Sequence, residues 1–394
     1  MKRIVVLGGC GHAGLPFALA LANSGFDSTS LDISIEAVEM INSGKMPFME
    51  DGALEILTKT LQSNNFRATT DFNAIKSADI LVIMIGTPID ENNNSNPAMI
   101  LDLISECMPH MNSTQLVILR STVLPGTTDL VAKLLQKNGI SADVVFCPER
   151  ILQGHAIKEL YELPQIIGSE NVIAQSRASD VFTLLGVKTI VVSTREAEMA
   201  KLFTNVWRYI KFAIANQFWL LSNDAGLDYS KIRDAIAFDY PRASDLPGAG
   251  FTAGPCLHKD IHFLATASNN NFDLGYSAIL INEGMPDYVV SKIEERFDLS
   301  NKVVGILGMS FKADSDDIRS SLSYRLKEIL EKKSVKVLTS DPFVTTDTKL
   351  LPESQVLMES DILIIGSPHS RYKNIMTEKP LIDFWNILGK GSQI

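Results

Sequence analysis

The stretch Lys2-Arg3-Ile4-Val5-Val6-Leu7-Gly8-Gly9-Cys10-Gly11-His12-Ala13-Gly14 decides the fold class of this 394-residue chain. Residues 4–7 form a short apolar strand pattern that leads into residues 9–14, which fit G-x-G-x-x-G and open a helical pattern. Such glycines permit a tight turn and let a pyrophosphate approach the N-terminus of the helix. Asp32 stands at the end of the next strand pattern, where its carboxylate can accept hydrogen bonds from ribose hydroxyls. The stretch therefore predicts a dinucleotide-binding βαβ unit.

Asp32 also bears on the choice of cofactor. Its carboxylate would repel the 2′-phosphate of NADP, and no arginine follows at positions 33–36 to accept that phosphate. The sequence therefore predicts NAD. The residues predicted to hold it in this unit are Gly9, Gly11, His12, Ala13, Gly14 and Asp32.

Short apolar runs alternate with helical patterns over about the first 190 residues. The runs lack polar alternation, so we expect their strands to be buried on both faces of a parallel sheet with helices on each side. The candidate strands are residues 3–7, 28–31, 80–85, 116–119, 144–147 and 189–192. This pattern is typical of an α/β, doubly wound domain.

A helical segment follows, and after it comes a weaker copy of the first segment. Residues 196–223 contain no Pro or Gly and predict one long helix, and further helical patterns cover residues 229–237, 260–267 and 276–296. Residues 302–308, KVVGILG, repeat the pattern of residues 2–8, KRIVVLG, and residues 360–365, SDILII, resemble residues 78–83, ADILVI. We predict two Rossmann-like doubly wound domains joined by a mainly helical central domain with one long helix. The predicted bounds are 1–194, 195–298 and 299–394.

Composition excludes several classes of protein. Apolar residues make up 45% and charged residues 21% of the chain, values typical of folded globular proteins. No apolar run approaches the roughly 20 residues that cross a bilayer, and no signal-peptide pattern follows Lys2 and Arg3. The net charge of −10 argues against a nucleic-acid-binding surface. Four cysteines in a chain of this length do not form a disulfide framework, so we expect a reduced, cytoplasmic protein with no membrane or nucleic-acid partner.

A second cluster lies at Gly254-Pro255-Cys256-Leu257-His258-Lys259-Asp260. Glycine and proline before a helical run place Cys256 near a helix N-terminus, where the helix dipole and nearby cations lower the pKa of a thiol. Asp260 lies one turn later on the same face, and Lys201 and Asn205 share one face of the long helix. Glu149 follows a predicted strand end, where α/β folds commonly place ligand-facing groups. Each feature also has a purely structural interpretation, as a buried cysteine beside a helix cap or as a solvated helix face.

Motifs along nearly the whole chain resemble, in order and spacing, those of the UDP-glucose/GDP-mannose dehydrogenase family, the NAD-dependent nucleotide-sugar 6-dehydrogenases. Each motif is short, and the specificity comes from the complete series. The matching stretches are GHAGLP at 11–16, NSGKMP at 42–47, GTP at 86–88, STVLPGT at 121–127, CPER at 147–150, EMAK at 198–201 with Asn205, GPCLHKD at 254–260, and GMSFKAD at 308–314 with Arg319.

The resemblance implies that two NAD oxidise the C6 alcohol of a nucleotide-diphosphate sugar to a carboxylate. It places the nucleophile on Cys256, surrounded by Lys201, Asn205 and Asp260, with Thr122 and Glu149 completing the catalytic set. A thiolate at that position would capture the aldehyde, and a second oxidation would give a thioester that water hydrolyses. The resemblance also implies cofactor contacts by Gly86, Thr87, Pro88, Ser121 and Thr122, and substrate contacts by Glu149, Arg150, Lys201, Asn205, Arg242, Gly254, Phe311 and Lys312.

Three positions depart from the family pattern. Trp385 stands where many relatives carry an arginine, which puts part of the nucleotide-sugar contact in question, and Lys211 stands where relatives often have arginine. Gly254-Pro255 before the cysteine differs from the Gly-Gly of typical UDP-glucose enzymes. UDP-glucose and a UDP-N-acetylhexosamine are therefore both candidate substrates.

Three interpretations of the chain remain open. The leading one is the four-electron nucleotide-sugar dehydrogenase, without a metal site. The second is a two-electron dehydrogenase of the hydroxyacid type, for which a helix lysine suffices, and the third is a catalytically silent NAD-binding assembly protein. We also predict a homodimer formed by the helical segment, because the long helix carries more apolar surface than packing on one of its sides can cover. Arg242 is expected to reach the neighbouring subunit's site. The apolar residues behind this expectation are Leu202, Phe203, Val206, Phe212 and Phe218.

Overall fold

The computed structural model describes residues 2–90, 96, 98–269, 271–333 and 336–394. The chain divides into two compact units, one formed by residues 1–204 and 262–270 and the other by residues 205–261 and 271–394. The three-domain division with bounds at 194 and 298 stays a prediction. The α/β fold class with two Rossmann-like sheets and a helical segment between them in sequence is confirmed.

The first unit is built on an eight-stranded sheet with strand order β3-β2-β1-β4-β5-β6-β7-β8. Its two middle strands, β4 and β5, are buried throughout, as their unbroken apolar sequences predict. The strands are β1 (Arg3–Leu7), β2 (Asp27–Leu31), β3 (Phe66–Thr69), β4 (Ile80–Ile83), β5 (Leu116–Leu119), β6 (Asp143–Phe146), β7 (Gln165–Gly168) and β8 (Thr189–Val192).

The last two strands of this sheet correct the expectation of a fully parallel sheet. β7 pairs with β6 in antiparallel orientation through the single pair Phe146 and Gly168, while β7 and β8 are parallel to each other. The connection between β6 and β7 therefore does not cross the sheet, and β7 begins at the same edge of the sheet at which β6 ends. All other neighbouring strands of the sheet are parallel.

Eight α-helices accompany this sheet among the described residues. α1 is buried along nearly its whole length between the sheet and other helices, which explains why its sequence GLPFALALAN is apolar on every face. The helices are α1 (Gly14–Asn23), α2 (Ile35–Asn42), α3 (Ala53–Gln62), α4 (Ala98–Cys107), α5 (Thr127–Lys137), α6 (Ala156–Glu162), α7 (Val172–Leu184) and α8 (Thr194–Asp224). α8, the predicted long helix, begins in the first unit and continues into the second.

The second unit contains a four-stranded parallel sheet with strand order β10-β9-β11-β12. Its core joins residues of the sheet with buried residues of the helices, among them Trp219 of α8 and Phe384 near the C-terminus. The further elements are α9 (Tyr229–Ala237), α10 (Leu257–Ala267), α11 (Asp273–Arg296), β9 (Val303–Leu307), α12 (Leu322–Lys332), β10 (Lys336–Ser340), α13 (Glu353–Glu359), β11 (Ile362–Ile365) and β12 (Leu381–Ile382).

The internal repeat seen in the sequence is confirmed by identical strand contacts in the two sheets. β1 lies between β2 and β4, and β9 lies between β10 and β11. Asp79, just before β4, accepts a hydrogen bond from the backbone N–H of Arg3 at 2.8 Å, and Asp361, just before β11, accepts one from Val303 at 2.8 Å. An aspartate at the equivalent position therefore fixes the register of the central strand pair in each sheet.

No helix in the described part of the chain combines the length and apolar character needed to cross a membrane.

We predict that Asp79→Ala and Asp361→Ala each lower the free energy of unfolding by about 1 kcal/mol, because each leaves a strand amide without its acceptor. Urea denaturation followed by circular dichroism measures this. Asp361→Asn, which keeps an acceptor oxygen, should lose less stability than Asp361→Ala. Equal losses in these two variants would contradict the assigned role of the hydrogen bond.

Candidate active site

The turn between β1 and α1 has the close backbone contacts that its glycines allow. Gly8 has a φ of +71°, and a Cβ at Gly9 would lie 2.5 Å from the carbonyl oxygen of Val6 and 2.7 Å from Ser30. A Cβ at Gly14 would collide with the backbone of Gly8. At Gly11, in contrast, a Cβ would meet only the Gly8 carbonyl oxygen, at the ordinary distance of 3.5 Å. Packing within the chain requires glycine at 9 and 14, whereas glycine at 11 leaves the turn open to a ligand.

The N-terminus of α1 is suited to an anion. No side chain among the described residues caps it, and Ala13 occupies the N-cap position. Uncapped amides and the helix dipole together favour a bound phosphate group. His12 lies beside this turn, with its ring 4.1 Å from that of Phe48 and its Nδ1 3.0 Å from Nε2 of Gln153.

Asp32 directly follows β2 and is tied to the same turn. Its Oδ2 accepts a hydrogen bond from the N–H of Cys10 at 3.0 Å, and its Oδ1 accepts one from the N–H of Ser34 at 3.2 Å. The carboxylate therefore stands at the carboxyl edge of the sheet, next to the glycine turn. The glycine turn, the uncapped helix and this carboxylate together fit the pyrophosphate and ribose of NAD.

The turns after β4 and β5 lie against each other at the same edge. Thr87 donates a hydrogen bond through Oγ1 to the carbonyl of Thr122 at 2.8 Å, and Ser121 donates through Oγ to the carbonyl of Ile85 at 2.8 Å. Gly86 and Pro88 on either side of Thr87 are exposed. The structure thus brings together the five residues that the resemblance implies as further cofactor contacts.

Glu149 and Arg150 follow β6 in a loop with its own internal contacts. A carboxylate oxygen of Glu149 accepts a hydrogen bond from the N–H of Ile151, and the Arg150 guanidinium donates to the carbonyl of Pro164. Burial lowers the pKa of Arg150, and the nearby Glu149 carboxylate opposes this effect. The side chain of Arg150 is therefore engaged within the first unit.

A buried arginine beside this loop was not anticipated from the sequence. Arg120, at the end of β5, is 2% exposed, stacks on the ring of Phe17 at 4.3 Å and donates to Gln165 Oε1 at 2.8 Å. Gln165 in turn donates to the carbonyl of Pro148 at 3.0 Å. Burial lowers the pKa of Arg120, and attraction to Glu149 opposes this. An arginine next to the STVLPGT motif was the signal available in the sequence.

The helix α8 carries two of the predicted catalytic residues and is anchored one turn before them. The buried carboxylate of Glu198 accepts hydrogen bonds from the N–H groups of Gly126 and Thr128 at 2.5 and 2.9 Å, and so caps the N-terminus of α5. Lys201 and Asn205 follow on α8, and both are buried. The glutamate of the EMAK motif is therefore structural, and it fixes the part of α8 that bears Lys201.

Asn205 and Asp260 are brought into direct contact. Nδ2 of Asn205 donates to Oδ2 of Asp260 at 2.6 Å, and Asp260 is fully buried. The ammonium of Lys259 lies 3.7 Å from the other carboxylate oxygen. A buried carboxylate with these partners is held in a fixed position.

Cys256 directly precedes α10, and its carbonyl accepts the hydrogen bond of the Asp260 N–H at 3.0 Å. It therefore occupies the N-terminal end of the helix, one turn before Asp260. None of the four cysteines forms a disulfide bond; Cys256 is exposed and the other three are buried. Burial raises the pKa of Cys10, Cys107 and Cys147 to about 12, so these thiols stay protonated at neutral pH.

The turn that presents Cys256 packs against the segment that follows β9. Gly254 has a φ of +105°, and a Cβ there would lie 2.7 Å from the ring of Phe311. The Phe311 N–H donates to the carbonyl of Asp317 at 2.9 Å, and Lys312 accepts a hydrogen bond through its carbonyl from Ser310 at 2.8 Å. The predicted substrate residues Gly254, Phe311 and Lys312 thus belong to one folded region.

Trp385 occupies its position through packing and one hydrogen bond. Its Nε1 donates to the carbonyl of Ile365 at 3.0 Å, its ring stacks on Phe384, and it fills the space that a Cβ at Gly250 would need. An aromatic face therefore stands where the family resemblance implies an arginine.

Two predicted residues lie on the surface of the second unit. Arg242 is exposed, and its Nε donates to the hydroxyl of Tyr240 at 2.9 Å. Lys211 on α8 pairs with Asp245 at 2.9 Å. A cavity of about 470 Å³ lies elsewhere in the second unit and is lined by residues that include Gly254, His258, Glu283, Ser320 and Arg325. Cys256 does not line this cavity, and the described residues contain no cluster of His, Cys, Asp and Glu that could hold a metal ion.

Sequence comparison agrees with this geometry. The chain matches three models of the UDP-glucose/GDP-mannose dehydrogenase family: the NAD binding domain over residues 2–186, the central domain over residues 195–283 and the UDP binding domain over residues 305–390. It is 30% identical to a UDP-N-acetyl-D-mannosamine dehydrogenase of Pyrococcus horikoshii, over 98% of this chain and 96% of that protein. It is also 30% identical to a GDP-mannose 6-dehydrogenase of Pseudomonas syringae, over 94% and 92%.

Structural comparison gives the same result. The structure of a UDP-glucose dehydrogenase from Pyrobaculum islandicum superposes with a TM-score of 0.90 at 25% identity, covering 97% of this chain and 94% of that one. The chain therefore belongs to the UDP-glucose/GDP-mannose dehydrogenase family and is an NAD-dependent nucleotide-sugar dehydrogenase.

Proposed function

We propose that this enzyme oxidises the C6 alcohol of a nucleotide-diphosphate sugar to the carboxylate in two successive two-electron steps, through a covalent intermediate on Cys256. The observation that carries the proposal is the position of Cys256, which is exposed at the N-terminal end of α10, one turn before Asp260. A two-electron dehydrogenase or a silent NAD-binding protein needs neither an accessible thiol there nor the Asn205–Asp260 pair.

NAD is held, in this proposal, by the glycine turn, the N-terminus of α1 and Asp32, with Thr87, Ser121 and Thr122 at the adjoining turns. When bound, NAD supplies the hydride acceptor for each of the two oxidations. Proton transfer, covalent capture of the aldehyde and stabilisation of the oxyanion are assigned to side chains of the protein.

The first oxidation removes a hydride from C6 and a proton from its hydroxyl group, leaving an aldehyde. Either Asp260 or Glu149 receives this proton through water. The sulfur of Cys256 then bonds to C6, and the aldehyde oxygen becomes an oxyanion that Lys201 and Asn205 stabilise. Lys201 and Asn205 suit this shared role because four residues of helix separate them by about 6 Å along α8.

The second oxidation removes a hydride from C6 of the thiohemiacetal and converts it into a thioester. Water activated by Asp260 or Glu149 attacks the carbonyl carbon, the C–S bond breaks, and the carboxylate leaves with the thiol restored. Thr122, Glu149 and Lys201 lie in the first compact unit, whereas Asn205, Cys256 and Asp260 lie in the second. Their assembly into one catalytic set is part of the proposal.

We propose a UDP-N-acetylhexosamine, with UDP-N-acetyl-D-mannosamine first, as the substrate. Supporting this choice are the 30% identity to an enzyme named for that sugar and the proline at 255 in place of a second glycine. Phe311 and Lys312 are proposed to contact the UDP group, and Arg150 and Gly254 to line the sugar. The aromatic face of Trp385 is proposed to replace the guanidinium of relatives.

NADH absorbance measured with UDP-N-acetylmannosamine, UDP-N-acetylglucosamine, UDP-glucose and GDP-mannose tests the proposed choice of substrate. Turnover only with GDP-mannose would overturn the UDP assignment.

We further propose that an exposed face of α8 forms a homodimer. Trp207, Ile214, Phe218 and Leu221 form an apolar stripe on the second unit's part of α8, with each residue 40–60% exposed, and Phe203 lies one turn before it. Leu202 and Val206, which contributed to the expectation of a dimer, are instead buried within the chain, and Phe212 is half-buried. Arg242 is proposed to reach the partner's site from its exposed loop.

We predict that Asp32→Asn raises turnover with NADP relative to NAD by about five- to tenfold, since it removes the charge that repels the 2′-phosphate. The asparagine oxygen can still accept from Cys10 N–H. Initial rates with both cofactors measure the ratio, and Asp27→Asn at the other end of β2 serves as the control. Equal turnover of the unmutated enzyme with NADP would contradict the assigned role of Asp32.

We predict that Cys256→Ser lowers turnover about a thousandfold or more, because a serine hydroxyl is a poor nucleophile at neutral pH. Binding of NAD and sugar, measured by calorimetry, should persist. Cys107→Ala is the matched control and should keep its activity, because the buried Cys107 thiol has a raised pKa and stays protonated. Unchanged turnover in Cys256→Ser would instead favour the two-electron dehydrogenase.

We predict that the double variant Trp207→Glu, Phe218→Glu sediments as a monomer at micromolar concentration, because burying two carboxylates in an apolar interface is costly. The unmutated chain and Ile173→Glu, which changes an exposed residue of α7, should both sediment as dimers. A dimer that survives the double substitution would place the interface elsewhere.

A further inference from the structure

The segment between β9 and α12 holds the cysteine turn through two contacts. The N–H of Gly254 lies 3.5 Å from the carbonyl oxygen of Ser320, and the ring of Phe311 covers Gly254. Phe311 and Asp317 are joined by a backbone hydrogen bond of 2.9 Å. Residues 311–320 therefore form a folded loop, here called the β9 loop, that stands against the residues preceding Cys256.

The β9 loop presents one guanidinium group in a fixed orientation. Nε of Arg319 donates to both carboxylate oxygens of Asp317, at 3.0 and 3.1 Å, and Nη2 donates at 2.6 Å. The N–H of Arg319 donates to the same carboxylate at 2.9 Å. The Asp317 side chain is buried, whereas about half of the Arg319 side chain is exposed. Such fork-shaped pairing orients an arginine more strictly than a lysine could be oriented.

Arg319 directly precedes Ser320, whose carbonyl oxygen contacts Gly254 two residues before Cys256, so the chain brings this guanidinium to the cysteine turn. Hydrogen bonds to Asp317 raise the pKa of Arg319, and attraction to Asp317, then to Cys256 and to Asp316, adds to the rise. The attraction between two groups is reciprocal, so a cation that is favoured by a thiolate also favours that thiolate.

Other charged groups stand on the two segments that meet at the cysteine turn. α10 carries His258, Lys259 and Asp260 after the cysteine, and the β9 loop carries Lys312, Asp314, Asp316 and Asp317 besides Arg319. Lys259 lies 3.7 Å from the Asp260 carboxylate, and burial lowers the pKa of His258, which favours its neutral form. Arg319 is a permanent cation, whereas the histidine is not.

We propose that Arg319 is a positioning residue that stabilises the Cys256 thiolate, with Asp317 fixing the orientation of its guanidinium. The proposal rests on the proposed function, in which Cys256 is the nucleophile. It extends that function by assigning the activation of the thiol to the β9 loop together with the N-terminus of α10.

The rate of alkylation by iodoacetamide as a function of pH tests this without substrate. Cys256 is the exposed cysteine and the other three are buried, so the reaction reports on Cys256, and peptide mass spectrometry verifies the site. We expect Arg319→Gln to shift the midpoint of the pH profile upward and to slow alkylation at pH 7 by roughly three- to tenfold, as loss of a half-exposed cation implies. The rate at the high-pH plateau should not change.

Two variants complete the test. Arg319→Lys keeps the charge but loses the fork-shaped pairing, so its midpoint should lie between those of the unmutated protein and Arg319→Gln. Arg325→Gln, which removes a cation paired with Glu283 and Asp287 on α12, should leave the profile unchanged. An unchanged midpoint in Arg319→Gln, or an equal shift in Arg325→Gln, would overturn the proposal.

Failure of this inference is distinguishable from failure of the proposed function. If Cys256→Ser abolishes turnover while Arg319→Gln leaves the alkylation profile unchanged, the nucleophile stands and the role of Arg319 falls. If Cys256→Ser retains full turnover, the proposed function falls whatever the alkylation result.

Discussion

The absence of a side chain at Gly254 is the constraint on which the proposed active site depends. Its left-handed φ of +105° turns the chain into α10, and the ring of Phe311 occupies the space that any Cβ would need. One glycine therefore places Cys256 at a helix N-terminus and simultaneously fixes the β9 loop with Arg319 against it. The buried Asn205–Asp260 pair then defines the helix face one turn beyond the sulfur.

The two Rossmann-like halves share one architecture and differ at the equivalent turn. In both, an aspartate after the second strand accepts hydrogen bonds from the turn after the first strand: Asp32 from Cys10, and Asp341 from Met309 and Ser310. In the second half, the buried His369 accepts from the N–H of Asp314 through Nδ1 and donates to Asp341 through Nε2 at 2.9 Å. Asp341 is thus satisfied within the chain, whereas the glycine turn beside Asp32 stays open for a ribose and a pyrophosphate.

Sequence patterns predicted the elements whose periodicity is strong and local. The central strands and the helix at 229–237 were predicted closely because burial on both faces, or one apolar face, leaves a clear pattern. β3 is a short edge strand of alternating burial, and β7 contains only two apolar residues, so neither produced such a pattern. The antiparallel direction of β7 depends on where a connection emerges, which no short-range pattern encodes.

The site shows the same limits. The glycine turn, Asp32, Cys256 and Asp260 could be named from spacing, because each lies within a few residues of a recognisable strand or helix end. The partners of Arg120 could not, because its burial depends on Phe17 and Gln165, which are distant in sequence. The exposure of residues on α8 could not be predicted either, because it depends on the elements that pack against the helix. Leu202 and Val206, for example, are buried within the chain, although they were expected to contribute to a dimer interface.

The number of NADH molecules formed per nucleotide sugar consumed tests the central claim most directly, in the unmutated enzyme with sugar limiting and NAD in excess. Capture of the aldehyde by Cys256 predicts a ratio of two, with a uronate as product and no aldehyde trapped by added hydroxylamine. A ratio of one, with the aldehyde or another two-electron product released, would contradict the account.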